Sequence, residues 1–167
     1  DSLAASIGTP PDLTNINSGL NFSTMTVRGA ARRVLNFPLD TGLKLQPTLG
    51  VFPNELYSIA LLFKLDAVNG WRRLLDMRNG IDQGLYVHDG KLDFYPYGAS
   101  AEVCLTNNTW HMVVLTHDVT GQMKVYCDGV LRLTLNDSSN YGVVSSANTL
   151  RFFKDDGGDI GSGSVSR

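Results

Sequence analysis

The sequence predicts an all-β fold, an antiparallel β-sandwich of two sheets, and three observations support this prediction. Residues that favour helices are scarce, since 14 of the 16 acidic residues are Asp and only two are Glu. Short segments in which every second residue is apolar recur along the chain, as expected for strands with one buried face. Gly-rich turns separate these segments, and no segment has the period of an amphipathic helix. Such a pattern is typical of a sandwich or jelly roll.

Composition excludes several classes of protein. A hydrophobic fraction of 43% argues against a disordered chain, and a net charge of −2 argues against a nucleic-acid or anionic membrane surface. No apolar run is long enough to span a membrane. The N-terminus lacks the basic and apolar segments of a signal peptide, so a secreted protein with this sequence has had its signal removed. The length of 167 residues fits one domain, 1–167.

The clearest predicted strands lie in the middle of the chain. Every odd position of residues 57–65 is apolar, and Trp71, Leu75 and Met77 share one parity with Arg73 as the exception. We expect Trp71 and Trp110 in the core. The dipeptide Asp89-Gly90 joins two alternating segments and predicts a hairpin with a two-residue loop. That register pairs Val87 with Leu92 and Leu85 with Phe94, which puts all four apolar side chains on one face.

A second dipeptide, Asp128-Gly129, predicts a hairpin of a different kind. A two-residue loop would mix polar and apolar side chains on both faces of the hairpin. A three-residue loop that includes Cys127 and a bulge at Gly129 pairs Val125 with Leu131, and it pairs Met123 with Leu133. Because a shift of one residue turns every side chain to the other face, we favour the three-residue loop.

Residues 110–116 and 150–154 complete a predicted set of eight or nine strands. The first 33 residues are rich in Ser, Thr, Asn and Gly and have only weak periodicity. No internal repeat is visible, and no linker divides the chain, so the sequence predicts a single domain.

Four motifs occur in the order found in a known family. They are Trp110-His111-Met112-Val113-Val114-Leu115-Thr116, Gly121 to Val130, Gly84 to Pro96, and Leu150-Arg151-Phe152-Phe153-Lys154-Asp155-Asp156. Together they resemble the laminin-G-like, concanavalin A-like jelly-roll domains, in particular a subgroup from secreted and cell-envelope proteins of bacteria. The resemblance covers roughly residues 34–165 and implies the fold, an extracellular location and a role in recognition or assembly.

The ends of the chain depart from the family pattern. Domains of this family usually continue past a turn like residues 161–165 into a last strand, and residues 1–3 resemble those that follow a first strand. We therefore expect a domain that lacks the first and last strands and has an open sheet edge. Three explanations stay open: a shortened chain, a strand supplied by a neighbouring subunit, or closure of the edge by residues 23–27.

Aromatic residues on the polar face of the predicted hairpin are the candidate ligand site. Tyr95 and Tyr97 have the parity opposite to the buried Leu92 and Phe94, so they are expected to face outward, and Tyr86 of the preceding strand lies on the same outer side. Exposed rings can stack on the CH-rich faces of sugars. The alternative is an aromatic ladder across the strands or a subunit contact.

Three carboxylates in a Gly-rich loop are the candidate metal ligands. Asp155, Asp156 and Asp159 supply hard oxygen ligands of the type that Ca²⁺ prefers, with Asp40 or Asp137 as additional candidates. The fold needs no cofactor, so Ca²⁺ is the one cofactor that the sequence suggests. Asp is also a common turn residue, which is the alternative explanation. We expect the three histidines, His88, His111 and His117, to be exposed or hydrogen-bonded rather than metal ligands.

The two cysteines, Cys104 and Cys127, allow one disulfide or two free thiols. Cys127 shares the parity of the buried Val125, so a buried thiol is the simple interpretation. Cys104 precedes the strand that leads to the Cys127 hairpin, so the two can lie close together. In an oxidising compartment a Cys104–Cys127 disulfide would follow.

The sequence disfavours the enzymatic chemistry of this fold. Glycoside hydrolysis needs two carboxylates on either side of one bond, and the related glucanases carry two Glu on one strand. Glu55 and Glu102 are isolated in turn-like segments. We therefore predict a non-catalytic extracellular recognition domain that binds a saccharide or a protein partner at the cell surface. The alternative is a self-assembling subunit of a filament or surface layer.

Overall fold

The computed structural model describes residues 11–46, 48, 51–52, 56–78, 81–144 and 148–154. Within these ranges the chain forms thirteen strands and no helix. In chain order they are β1 Thr14–Ile16, β2 Asn21–Val27, β3 Ala30–Asn36, β4 Gly42–Leu45, β5 Tyr57–Lys64, β6 Trp71–Asp76, β7 Gly84–His88, β8 Lys91–Tyr95, β9 Gly98–Ala99, β10 Trp110–His117, β11 Gln122–Cys127, β12 Val130–Asn136 and β13 Leu150–Phe152.

The strands form two large antiparallel sheets and one separate hairpin. The larger sheet has the order β1-β4-β13-β6-β7-β8-β9, and the smaller has the order β12-β11-β10-β5. The late strand β13 lies between β4 and β6, so the larger sheet joins segments that are far apart in the chain. Strands β2 and β3 pair only with each other among the described strands. The predicted all-β fold of antiparallel sheets is confirmed.

The core lies between the inner faces of the two large sheets. Strand β10 alternates strictly between buried and half-buried residues, as the sequence pattern predicts. The β7–β8 hairpin has the predicted register, with Val87 opposite Leu92 and Leu85 opposite Phe94. All four side chains are fully buried. This register also places the intervening side chains of β7 and β8 on the outer face of the larger sheet.

The predicted three-residue loop between β11 and β12 is wrong. Cys127 pairs with Val130, so the loop consists of two residues, Asp128 and Gly129, which both have positive φ. The register shifts one step further on, where Val125 pairs with Leu133. The extra residue is therefore in β12 after the turn. It returns the following apolar side chains to the core without changing the turn that Asp-Gly favours.

A second bulge, in β6, corrects the prediction for Trp71. Arg73 pairs with Tyr86 and Leu75 pairs with Leu85, so one residue is extra between them. Trp71 and Arg73 lie on the outer face, whereas Leu75 faces the core. Arg73 is thus no exception to the alternation, and Trp71 is half-buried outside the core.

The weakly periodic N-terminal region forms the β2–β3 hairpin. Trp110, also predicted to be in the core, is half-buried, and its Nε1–H donates a hydrogen bond of 3.1 Å to the carbonyl of Thr26 in this hairpin. The segment considered for closing the sheet edge, residues 23–27, pairs with β3. The expected absence of the first and last strands concerns ends that lie largely outside the described residues, and it stays a prediction.

Candidate functional site

Five side chains from three neighbouring strands meet on the outer face of the larger sheet. Because alternate residues share a face, β6, β7 and β8 contribute side chains to one surface. We call this group the outer-face cluster: it consists of Trp71, Tyr86, His88, Asp93 and Tyr95. Trp71 is opposite His88, and Tyr86 is opposite Asp93.

Trp71 is the centre of the outer-face cluster. Its ring stacks on His88, with a centroid distance of 3.8 Å and an interplanar angle of 13°. The rings of Tyr86 and Tyr95 meet it edge-on, at 5.3 and 6.1 Å. Edge-to-face and stacked contacts are the arrangements that aromatic rings prefer. Tyr95 is 39% exposed, so the cluster reaches solvent through Tyr95 and the half-buried Trp71 and His88.

Asp93 is the polar group beneath this aromatic surface. Its residue is only 7% exposed, and its Oδ1 atom is buried without a hydrogen-bond partner. Burial raises the pKa of the Asp93 carboxyl above its usual range, and the nearby His88 opposes that shift in part. Buried polar atoms in proteins are nearly always hydrogen-bonded, so a free acceptor at this position is unusual.

A buried ionic network adjoins the outer-face cluster. The guanidinium of Arg73 is fully buried, lies 3.5 Å from Asp76 and 3.4 Å from Asp82, and packs over the Tyr86 ring. The Tyr86 hydroxyl hydrogen-bonds to Arg73 and donates to Asp82 at 2.8 Å. Arg73 also donates to the carbonyl of Ile81 at 3.3 Å. These bonds hold the end of the β6–β7 connection against the sheet.

The structure does not bring the three predicted tyrosines together. Tyr95 is exposed in the outer-face cluster, as expected. Tyr86 faces outward, but it is only 2% exposed because Arg73 and Trp71 pack on its ring. Tyr97 is elsewhere: its ring stacks on Phe94 at 6.0 Å, and its hydroxyl donates to Asp137 at 2.7 Å.

Trp71, His88 and Asp93 are members of the site that were not predicted from the sequence. The alternation of side chains along β7 and β8 could have identified two of them. His88 shares a face with Tyr86 on β7, and Asp93 shares a face with Tyr95 on β8. Trp71 was hidden by the bulge in β6, which reverses the faces of the residues after it.

The two cysteines are free thiols and close neighbours. The Cys127 thiol lies 3.5 Å from the Cys104 carbonyl oxygen. A hydrogen bond from the Cys127 thiol lowers the pKa of Cys104. That hydrogen bond and burial raise the pKa of Cys127. Cys104 is therefore the thiol that ionises first, and the predicted disulfide stays a prediction.

A histidine, a cysteine and an aspartate lie within metal-ligating reach of one another, namely His111, Cys127 and Asp128. The His111 Nδ1–H donates to Asp128 at 2.7 Å, and the backbone N–H of Thr106 donates to Nε2 at 3.2 Å. Both ring nitrogens are thus in use. Asp128 also accepts a hydrogen bond from the backbone N–H of Met112 at 2.9 Å. These bonds give His111 and Asp128 a structural role in fixing the β11–β12 turn.

The carboxylates predicted to bind Ca²⁺ differ in their surroundings, and three of them cannot be assessed. Asp155, Asp156 and Asp159 lie outside the described residues. Asp40 forms an ion pair with Lys154 at 2.5 Å. Asp137 is fully buried and accepts hydrogen bonds from Tyr97 and from the backbone. A cation at Asp40 would have to displace Lys154, and Asp137 is already saturated with donors.

A family model described as the concanavalin A-like lectin/glucanases superfamily, Laminin_G_3, matches residues 39–163. The chain belongs to this family. The match covers most of the chain, including the strands that form the outer-face cluster, and the laminin-G resemblance predicted from the motifs is confirmed. No curated protein sequence matches the chain.

Solved structures with the same fold include carbohydrate-binding domains. Domain 4 of AbnA, an extracellular arabinanase from Geobacillus stearothermophilus in complex with arabinotriose, has a TM-score of 0.63 at 17% identity, over 99% of this chain and 84% of that one. The CBM40 of Ruminococcus gnavus IT-sialidase has a TM-score of 0.56 at 17% identity, over 78% and 85% of the two chains. The binding domain of botulinum neurotoxin serotype C1 has a TM-score of 0.61 at 14% identity, over 93% of this laminin-G-type chain and 41% of that one. At these identities the likeness establishes the fold.

The described part of this laminin-G-type chain contains no helix with the length and apolar character needed to cross a bilayer.

Proposed function

We propose that this laminin-G-type domain is a non-catalytic extracellular module that binds a saccharide on the outer-face cluster. The observation that carries the proposal is the unpartnered Oδ1 of Asp93 beneath the exposed edge of an aromatic group. A sugar matches both the aromatic rings and the carboxylate. Its CH-rich face packs on an aromatic ring, and its hydroxyl donates a hydrogen bond to a carboxylate. The structural neighbours support this choice, since they include a domain of an extracellular arabinanase in complex with arabinotriose and the CBM40 of a sialidase.

The distribution of carboxylates supports a non-catalytic role. Glycoside hydrolysis needs two carboxyl groups ~5–5.5 Å or ~6.5–9.5 Å apart. On the outer face Asp76 lies on β6 and Asp93 lies on β8, with β7 between them. Asp76 is also fully buried between Arg73 and Arg151. Glu102 is exposed and forms an ion pair with Arg132.

Calorimetric titration with neutral oligosaccharides tests the proposal. Arabinotriose is the first probe, because a neighbouring structure contains it, followed by xylo-, gluco- and galacto-oligosaccharides. We expect one of these to bind, and we expect Trp71→Ala and Tyr95→Ala each to weaken binding at least tenfold. Tyr126→Ala is the matched control, since Tyr126 is a half-buried tyrosine on the outer face of the smaller sheet. Equal losses for Tyr95→Ala and Tyr126→Ala would refute the proposed site.

Self-assembly into a filament or surface layer stays a prediction, and so does binding of a protein partner. Self-assembly requires the isolated chain to aggregate or to form ordered polymers. Static light scattering that finds a compact monomer at high concentration would count against it.

A further inference from the structure

A cavity beside the β2–β3 hairpin is separate from the outer-face cluster. Residues of the β2–β3 hairpin and of β5 line this cavity, whose volume is about 520 Å³. Cavities of 300–1,000 Å³ are the usual size for small-ligand sites. The outer-face cluster contributes no residue to this cavity, so the two sites are separate.

One wall of the cavity is strongly basic. Arg28, Arg32 and Arg33 line it, and they come from the turn of the hairpin and from β3. No acidic residue is among the described residues that line it. Three of the 14 basic residues of a chain with net charge −2 are thus concentrated around one cavity. Walls of low dielectric strengthen the field of such a group.

Two of these arginines are held in place by neighbouring side chains. Arg28 lies 3.5 Å from Asp128, a carboxylate that also accepts hydrogen bonds from His111 and Met112. The guanidinium of Arg33 lies 5.9 Å from the centre of the Phe22 ring. Arg32 is exposed and has no ion-pair partner in the described part of the chain. Arg32 therefore retains its full bidentate capacity for a carboxylate.

The opposite wall is apolar and contains an indole. Trp110, Leu62 and Phe63 line it, and Leu62 is 41% exposed. The hydrogen bond from Trp110 Nε1 to the Thr26 carbonyl fixes the indole between the hairpin and the sheet. The cavity thus combines a rigid aromatic surface with guanidinium groups.

We propose that this cavity binds a carboxylate-bearing saccharide, that is, a chain containing a sugar acid. The carboxylate pairs with Arg32, and the apolar face of the sugar ring packs on Trp110 and Leu62. This inference takes from the proposed function only that the ligand is a saccharide. An acidic peptide meets the same charges, but the indole and the compact cavity favour a ring over an extended chain.

Calorimetric titration of the intact chain with three acidic probes tests this proposal. The probes are trigalacturonate, a hyaluronan tetrasaccharide and a sialylated trisaccharide, each compared with its uncharged methyl ester. We expect at least one acid to bind at least tenfold more tightly than its ester. Its affinity falls between 50 and 200 mM salt, because the binding is partly ionic. Failure of all three acids to bind, or equal binding of acid and ester, would overturn the proposal.

Substitutions separate this cavity from the outer-face cluster. We expect Arg32→Gln to weaken binding of the acid at least fivefold, and we expect a smaller effect from Arg33→Gln, because successive side chains of β3 lie on opposite faces of the hairpin. Lys124→Gln removes one positive charge from the outer face of the smaller sheet and leaves binding unchanged, as does Trp71→Ala. Thermal unfolding checks that each variant is folded. If Trp71→Ala abolishes binding of the acid while Arg32→Gln does not, the acid occupies the outer-face cluster and the inference is wrong.

The outcomes for the two sites are distinguishable. If no neutral oligosaccharide binds to the wild-type chain or to any variant, the proposed function is refuted. The titrations with acidic saccharides still test the cavity in that case. Competition by hexaglutamate, with no binding of any acidic saccharide, identifies an acidic peptide as the ligand and overturns the inference.

Discussion

Asp93 combines a cost in stability with an acceptor that has no partner within the described part of the protein. Its Oδ1 is buried without a partner, and burial raises its pKa. A carboxyl with a raised pKa in the folded state binds its proton more tightly there than in the unfolded chain. As the pH rises above the ordinary Asp value of 3.8, the unfolded chain therefore ionises first, and the free energy of unfolding falls. This penalty is complete once the pH exceeds the raised pKa.

We predict that Asp93→Asn stabilises the protein while weakening saccharide binding. The amide carries no charge, so at neutral pH the free energy of unfolding should rise by on the order of 1 kcal/mol. Below pH 3.8 both proteins carry a neutral group, and the difference should vanish. Urea unfolding at several pH values measures the first effect, and calorimetric titration measures the second. A variant that is less stable at neutral pH would show that Asp93 has a structural role instead.

Cys104 and Cys127 differ in reactivity because of their mutual hydrogen bond. The pKa of Cys104 is lowered and that of Cys127 is raised. Since the thiolate is the reactive form, iodoacetamide should modify Cys104 before Cys127 at neutral pH. Mass spectrometry of peptides after brief labelling measures the order. The advantage of Cys104 begins at its lowered pKa and persists above the ordinary thiol value of 9.0, because the pKa of Cys127 is raised above that value.

The Cys127→Ala variant provides the control for this order. Without the donating thiol, the pKa of Cys104 should return toward its ordinary value, and alkylation near pH 7 should slow several-fold. An unchanged rate would contradict the role given to Cys127.

Mild oxidation of the wild-type chain should lower its mass by two hydrogens if the predicted disulfide forms. Two reactive thiols after oxidation would exclude that bridge.

The two Asp-Gly hairpins show which features of a hairpin can be predicted from local sequence and which cannot. Both Asp-Gly dipeptides form two-residue loops with positive φ at both residues. For Asp89-Gly90 the alternation of apolar residues agrees with this loop, and the prediction is confirmed. For Asp128-Gly129 the alternation suggests a longer loop, because the extra residue lies in β12. The pattern reveals that one residue is extra but not where it is inserted.

The bulge in β6 has the larger consequence for function. Sequence parity places Trp71 with Leu75 in the core, whereas the bulge puts Trp71 and Arg73 together on the outer face. The burial of Tyr86 follows from Arg73 on the neighbouring strand, and such a contact across strands has no local signal. The fold and the position of Tyr95 could therefore be predicted from the sequence. The outer-face cluster could not, because its members come from three strands.

Asp137 joins the two sheets of the molecule. It follows β12 of the smaller sheet and accepts hydrogen bonds of 2.7 Å from the hydroxyl of Tyr97, which follows β8 of the larger sheet. The backbone N–H groups of Tyr141 and Gly142 donate to it at 2.7 and 2.8 Å. Its side chain is fully buried. This residue is therefore central to the packing of the whole domain.

We predict that Asp137→Ala lowers the free energy of unfolding by about 3 kcal/mol, because it leaves several buried donors without an acceptor. Urea unfolding followed by tryptophan fluorescence measures the loss. Asp118→Ala is the matched control: Asp118 accepts hydrogen bonds from the backbone of Thr120 and Gln122 at 2.8 and 3.0 Å, but in an exposed turn. Water replaces those bonds when the carboxylate is removed, so the loss should be much smaller. Equal losses would mean that Asp137 acts only on its local turn and does not join the sheets.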